Sequence, residues 1–68
     1  MKESEFVKRL GKKIKSLRLK RKMTQDDVSE FGIDVKQYQR IERGLVNPKA
    51  FTLYKLSKAF KCSVEDFF

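Results

Sequence analysis

The chain has no histidine, no tryptophan, a single cysteine and a single proline among its 68 residues. Without histidine it lacks the commonest general base, and Cys62 alone permits no internal disulfide and argues against a thiolate metal site. No serine stands in a nucleophile motif or in a glycine-rich phosphate loop. We therefore expect a protein that is not an enzyme and needs neither a metal nor another cofactor.

Long apolar runs are also missing. Glycine aside, apolar residues never occur more than two in a row, which excludes a membrane span and the apolar core of a secretory signal. A cytoplasmic location is therefore predicted. The length predicts a single domain over residues 1–68, and folding at this size buries only about 60% of the unfolded surface.

Positive charge is abundant and unevenly distributed. The chain carries 17 basic and 9 acidic residues, a net charge of +8. Residues 1–22 hold ten of the bases and only two of the acids, whereas the remaining residues hold seven of each. A basic first segment attracts nucleic acid or an anionic membrane surface, and charge alone does not distinguish the two.

The first segment has the periodicity of a helix from about Ser4 to Lys22. One apolar stripe follows spacings of four, four and three residues. It consists of Phe6, Leu10, Ile14 and Leu17, with Val7 at its edge. Gly11 weakens the middle of this helix by about 1 kcal/mol relative to alanine. Arg18, on the flank of the stripe, is expected to be partly desolvated and to need an acidic partner.

Thr24 opens a second, short helix. Asp27, three residues later, fits a capping box, and Gly32 ends the helix. Val28 and Phe31 are its predicted core contacts.

The stretch from Asp34 to Gly44 predicts a third helix with two different faces. Asp34 is a good N-cap, and Gly44 suits the left-handed turn that ends a helix. At about 100° per residue the apolar side holds Val35, Tyr38, Ile41 and Glu42. The opposite side holds Lys36, Arg40 and Arg43, with Gln37 and Gln39 flanking them. Such side chains suit base edges and phosphates in a major groove, although on an arbitrary helix they would only indicate a solvated face.

A fourth helix is predicted from about Ala50 to Lys61, after a turn at Asn47-Pro48. Its expected core residues are Leu53, Leu56, Ala59 and Phe60, with Phe51 and Tyr54 alongside. Ser63 caps a last short turn that ends in Phe67 and Phe68, which we expect either in the core or in a dimer contact. Five short helices without a strand pattern predict an all-α domain.

The order of these features resembles the phage-repressor and Cro class of helix-turn-helix DNA-binding domains, the XRE family. The resemblance covers about Leu10 to Phe68. Its most specific parts are Thr24-Gln25, Gly32, Ile41-Glu42-Arg43-Gly44, Asn47-Pro48 and Ser63-Val64-Glu65-Asp66-Phe67. It implies a compact five-helix, lambda-repressor-like fold. From Gln25 to Gly32 the chain is one residue shorter than the usual pattern, a change that would tighten or rotate the turn.

The resemblance also implies roles for individual residues. The helix from Val35 to Arg43 would be the recognition helix, which enters the major groove with its N-terminal half leading. Its base-reading positions would be Val35, Lys36, Gln37, Gln39 and Arg40. Contacts to the DNA backbone would come from Thr24, Gln25, Arg43, Asn47 and Lys49. Arg18 and Glu42 would form a buried, structural ion pair.

The preferred hypothesis is a sequence-specific binder of double-stranded DNA that acts as a repressor or a small controller protein, as a homodimer. An antitoxin-like module that binds a protein partner, with secondary DNA binding, is the alternative. A membrane-surface role for the basic first helix ranks last, because the small core needs that helix's apolar stripe.

Overall fold

Four α-helices and one 3₁₀ helix make up the protein in the computed structural model, which describes all 68 residues. The helices are α1 (Glu3–Lys20), α2 (Gln25–Ser29), α3 (Val35–Glu42), α4 (Ala50–Phe60) and the 3₁₀ helix (Val64–Phe67). The predicted all-α class is confirmed, although the fifth predicted helix is a 3₁₀ helix. None of the helices combines the length and the apolarity that crossing a bilayer requires.

Local capping sets the boundaries of the two central helices. The Thr24 hydroxyl accepts from the Asp27 amide at 3.0 Å, and the Asp27 carboxylate accepts from the Thr24 amide at 2.8 Å. Asp34 caps α3 by accepting from the Gln37 amide at 3.0 Å. Gly44 has φ of 72°, the left-handed conformation that ends a helix. The capping residues were therefore readable from the sequence.

The core lies where all four α-helices meet. The side chains that are almost fully enclosed come from every helix: Ile14, Val28, Tyr38, Ile41, Leu56 and Phe60. Phe67, in the 3₁₀ helix, is also part of the core, and its ring packs edge-on against that of Phe60 with 6.5 Å between the ring centroids. Phe67 is thus a core residue, whereas Phe68 is exposed and stacks on Phe6 at 5.8 Å.

Two aromatic residues expected in the core lie at the surface. On α1 the buried positions are Val7, Leu10, Gly11, Ile14 and Arg18, so the buried stripe is rotated away from Phe6, which is 37% exposed. Phe31 is 42% exposed, because α2 ends at Ser29 and the residues beyond it no longer follow the helical phase. Leu17 is only partly buried.

Two further exposed aromatic residues lie on α4. Phe51 and Tyr54, placed alongside the core by the sequence, are exposed and stack on each other with centroids 6.1 Å apart. The opposite side of the helix buries Leu53, Leu56 and Phe60. The helix therefore has an exposed aromatic side opposite its buried apolar side.

Close contact between α1 and α3 depends on Gly11. A Cβ atom at this position would lie 2.7 Å from the Glu42 carbonyl oxygen and closer still to that of Ile41. The two backbones can approach this closely only because Gly11 has no side chain. The C-terminal end of α3 is therefore held directly against the middle of α1.

Candidate nucleic-acid interface

The outer face of α3 is open to solvent. The exposed side chains on this face are Lys36, Gln37, Gln39, Arg40 and Arg43, while Val35 is half-buried. Val35 thus lies at the edge, between the core and the outer face. The helix is about 12 Å long, enough to present its first two turns to a groove.

Lys36 and Arg40 are one helical turn apart on this face, and neither side chain has a hydrogen bond or an ion pair within the protein. Their charges are therefore available to an external anion. Arginine and lysine are the side chains that most often bond to the O6 and N7 acceptors of guanine in a major groove. This face can act as a hydrogen-bond donor surface toward nucleic acid.

The inner face of α3 is fixed to α1 by an ion pair. Arg18 Nε donates to Glu42 Oε2 at 2.6 Å and Arg18 Nη2 to Glu42 Oε1 at 3.3 Å. The two side chains are only 9% and 5% exposed. Arg18 Nη1 also donates to the Met23 carbonyl oxygen at 2.7 Å, which ties the chain that leads into α2 to the same group.

Two glutamines extend this network from the interior to the outer face. Gln25 Nε2 donates to Glu42 Oε1 at 3.0 Å, and Gln39 Nε2 donates to Gln25 Oε1 at 3.2 Å. A continuous chain of hydrogen bonds thus runs from Arg18 in the core to Gln39. It holds the start of α2 and the middle of α3 in one arrangement.

The network also controls ionisation. Burial by itself would raise the pKa of Glu42, but the hydrogen bonds from Arg18 and Gln25 lower it. The hydrogen bond to Glu42 raises the pKa of Arg18 against the opposing effect of burial. Burial raises the pKa of the Tyr38 hydroxyl, which lies beside this pair and makes no hydrogen bond of good geometry. Both members of the pair are therefore charged at neutral pH.

The other expected backbone contacts lie around α3. Thr24 at the start of α2 is exposed, as are Asn47 and Lys49 in the loop between α3 and α4. Thr24 is engaged in capping α2, and Asn47 Nδ2 donates to Glu3 Oε2 at 3.2 Å. Lys49 has no partner within the protein.

Comparison with known proteins agrees with this geometry. A family model described as helix-turn-helix matches residues 14–67, most of the chain. The chain belongs to the helix-turn-helix family. It is a DNA-binding transcriptional regulator of the XRE type, a family of regulatory proteins rather than enzymes.

One solved structure shows how fully the helix-turn-helix fold is kept. The restriction-modification controller protein C.AhdI from Aeromonas hydrophila superposes with a TM-score of 0.91, covering 94% of this chain and 98% of its own, at 22% sequence identity. Because the sequence identity is this low, the similarity establishes the fold alone. No significant match was found among curated protein sequences.

Most of the charge of this helix-turn-helix domain is unpaired. Arg18 with Glu42 is its single ion pair, so nearly all of the lysines and arginines that give the net charge of +8 are not paired with a carboxylate of the protein. Unpaired surface cations attract phosphates from a distance, and this attraction weakens as salt is added.

Proposed function

We propose that the protein binds double-stranded DNA in the cytoplasm as a homodimer and reads the major groove with α3, as a repressor or a controller protein. Val35, Lys36, Gln37, Gln39 and Arg40 would face the bases. Thr24, Gln25, Arg43, Asn47 and Lys49 would contact the backbone. The controller role is suggested by the likeness to C.AhdI.

One observation supports the proposal above the others. Lys36 and Arg40 project, unpaired, from a helix whose reverse side is locked into the interior through Tyr38, Ile41 and Glu42. A rigidly held donor pair discriminates between bases, because a mismatch cannot be relieved by movement of the helix. A helix face that is only solvated does not require the opposite side of the helix to be held by buried contacts.

Replacing Arg40 by alanine is expected to lower the preference for the cognate duplex about 10- to 100-fold, the value of one good bidentate base contact. The cognate duplex would come from selection out of a random DNA pool, and affinities for it and for a scrambled duplex would be measured at fixed salt. Since Arg40 is exposed, the free energy of unfolding should change by less than about 0.5 kcal/mol.

Arg43→Ala is the matched control for Arg40→Ala. Arg43 is the same residue type at the C-cap of the same helix, and as a backbone contact it should contribute equally to both duplexes. An equal loss on both duplexes for Arg40→Ala would contradict base reading by that side chain.

The dimer makes a separate prediction. A helix of this length covers only a few base pairs, so two copies are needed for a specific site. The selected sequence is expected to be a palindrome with half-sites about one helical turn apart. Sedimentation equilibrium should give two chains per duplex, and one chain on an asymmetric site would contradict the proposal.

The antitoxin-like alternative is favoured by one observation, the exposed aromatic pair Phe51 and Tyr54 on α4. Apolar surface of this kind often lies in protein interfaces. Under this alternative, selection from random DNA would enrich no sequence, and purification from the native host would yield a second protein in stoichiometric amount.

A further inference from the structure

The turn between α2 and α3 is held by few contacts of its own. Residues 30–32 close it with three successive i→i+3 hydrogen bonds, from Glu30, Phe31 and Gly32 to Asp27, Val28 and Ser29, at 3.0 to 3.3 Å. Gly32 has φ of 83°. Within residues 30–34, only Ile33 is buried. The turn is short and mostly exposed.

One hydrogen bond joins this turn to α4. Lys55 Nζ donates to the Gly32 carbonyl oxygen at 2.8 Å, and no backbone amide donates to that oxygen. The Lys55 ammonium group also lies 4.9 Å from the centroid of the Phe51 ring. The ammonium charge makes this hydrogen bond stronger than one between neutral groups, and attraction to the ring favours the position of the side chain seen here.

The two ends of α3 are thus fixed by different groups. Its C-terminal end is held by Gly11 and by the Glu42 network. Its N-terminal end depends on the Asp34 cap, on burial of Ile33 and on the Lys55 bond to Gly32. Because the N-terminal half leads into the major groove, a small movement of the turn changes the angle at which Lys36 and Arg40 meet the bases.

We infer that Lys55 is a positioning residue for DNA recognition: by tying the turn at Gly32 to α4, it sets the entry angle of α3 without touching DNA. This inference rests on the proposed reading of DNA by α3. It assigns Lys55 a role distinct from those of Lys36 and Lys49, which are proposed to contact the DNA itself.

Lys58 provides a matched control. It lies three residues along on the same helix, with its ammonium group 5.3 Å from the centroid of the Tyr54 ring, and it has no hydrogen-bond partner. Lys55→Met and Lys58→Met therefore remove the same charge and the same type of ring contact. Only the first removes a bond to the turn. Lys55→Arg keeps a donor of sufficient reach and should restore it.

The test measures affinities of these variants for the selected duplex and for its scrambled version over a range of salt concentrations, well below the unfolding temperature. Lys55→Met is expected to lower the preference for the selected duplex about tenfold, with an unchanged salt slope. Lys58→Met should leave the preference unchanged, and Lys55→Arg should recover it. Hydrogen exchange of the Phe31 and Gly32 amides, which donate to the Val28 and Ser29 carbonyl oxygens, should accelerate only in Lys55→Met.

Three results would overturn the inference: an unchanged preference in Lys55→Met, an equal loss in Lys58→Met, or a salt slope reduced by about one, which would mark Lys55 as a phosphate contact. Arg40→Ala, measured beside them, distinguishes a failure of the positioning role of Lys55 from a failure of DNA reading by α3. If Arg40→Ala loses discrimination and Lys55→Met does not, only the positioning role fails. If Arg40→Ala keeps discrimination, the reading of DNA by α3 fails and the inference fails with it.

Discussion

Glu42→Ala is expected to destabilise the protein by roughly 3 to 5 kcal/mol, because it leaves the Arg18 guanidinium buried without a counter-ion. It also removes the acceptor of Gln25, so the network that reaches Gln39 is interrupted. For a domain of this size the total stability is on the order of 3 to 10 kcal/mol. Urea titration followed by circular dichroism would measure the loss. A change under about 1 kcal/mol would contradict a structural role for the pair.

Two controls separate the ion pair from its neighbours. Tyr38→Phe removes a hydroxyl that lies beside Glu42 without a hydrogen bond of good geometry, and it is expected to change stability by less than about 1 kcal/mol. The double substitution Arg18→Met and Glu42→Leu should recover much of the stability that is lost in Glu42→Ala. Apolar residues of similar volume can fill the same space without the cost of burying a charge.

The pair also predicts a pH dependence. The pKa of Glu42 is lower in the folded protein than in the unfolded chain. Its contribution to stability is therefore fully present above the unfolded value of about 4.3 and is lost as the pH falls through the folded value. The stability difference between the native protein and Glu42→Gln should stay constant near neutral pH and shrink below about pH 4. Thermal unfolding measured over this range would test it.

Gly11→Ala is expected to destabilise the protein by roughly 1 to 3 kcal/mol, the usual cost of forcing a methyl group into a closed contact. The added Cβ would meet two backbone carbonyl oxygens, those of Ile41 and Glu42, which cannot rotate away as a side chain could. The end of α3 would have to move away from α1. DNA affinity should therefore fall in the same variant at temperatures where it is still folded.

Ser16→Ala is the control for Gly11→Ala. Ser16 lies on the same helix and is exposed, so its replacement tests helix propensity alone and should raise stability by a few tenths of a kcal/mol. Helix propensity would make Gly11→Ala stabilising by about 1 kcal/mol. A measured gain in stability for Gly11→Ala would mean that α1 and α3 do not approach each other as closely as described.

Interactions between residues no more than four positions apart could be predicted from the sequence. The cap of Thr24 by Asp27, the cap at Asp34 and the left-handed Gly44 each depend on groups a few residues apart. The same is true of the outer face of α3, because a helical period places Lys36 and Arg40 together once the helix is accepted. These predictions needed no knowledge of the packing.

The burial of single side chains was less predictable. The sequence places Phe6 in the apolar stripe of α1 and Val7 at its edge, but in the structure Val7, one turn before Gly11, is buried and Phe6 is exposed. Phe31 was assigned to the core because its helix was expected to continue as far as Gly32, whereas α2 ends at Ser29. An apolar side chain favours burial, but its hydrophobicity does not indicate which other residues will be in place to cover it.

The amino-acid sequence alone determined the helical class, the caps and the two-sided character of α3, since each follows from short-range periodicity and hydrogen bonding. Tertiary structure alone decided that Gln25 and Gln39 join the Arg18–Glu42 pair, that Lys55 bonds to the turn at Gly32 and that Gly11 permits the contact of α1 with α3. These contacts link residues 14 to 31 positions apart, and no local pattern specifies which distant partner a side chain will meet when the helices pack.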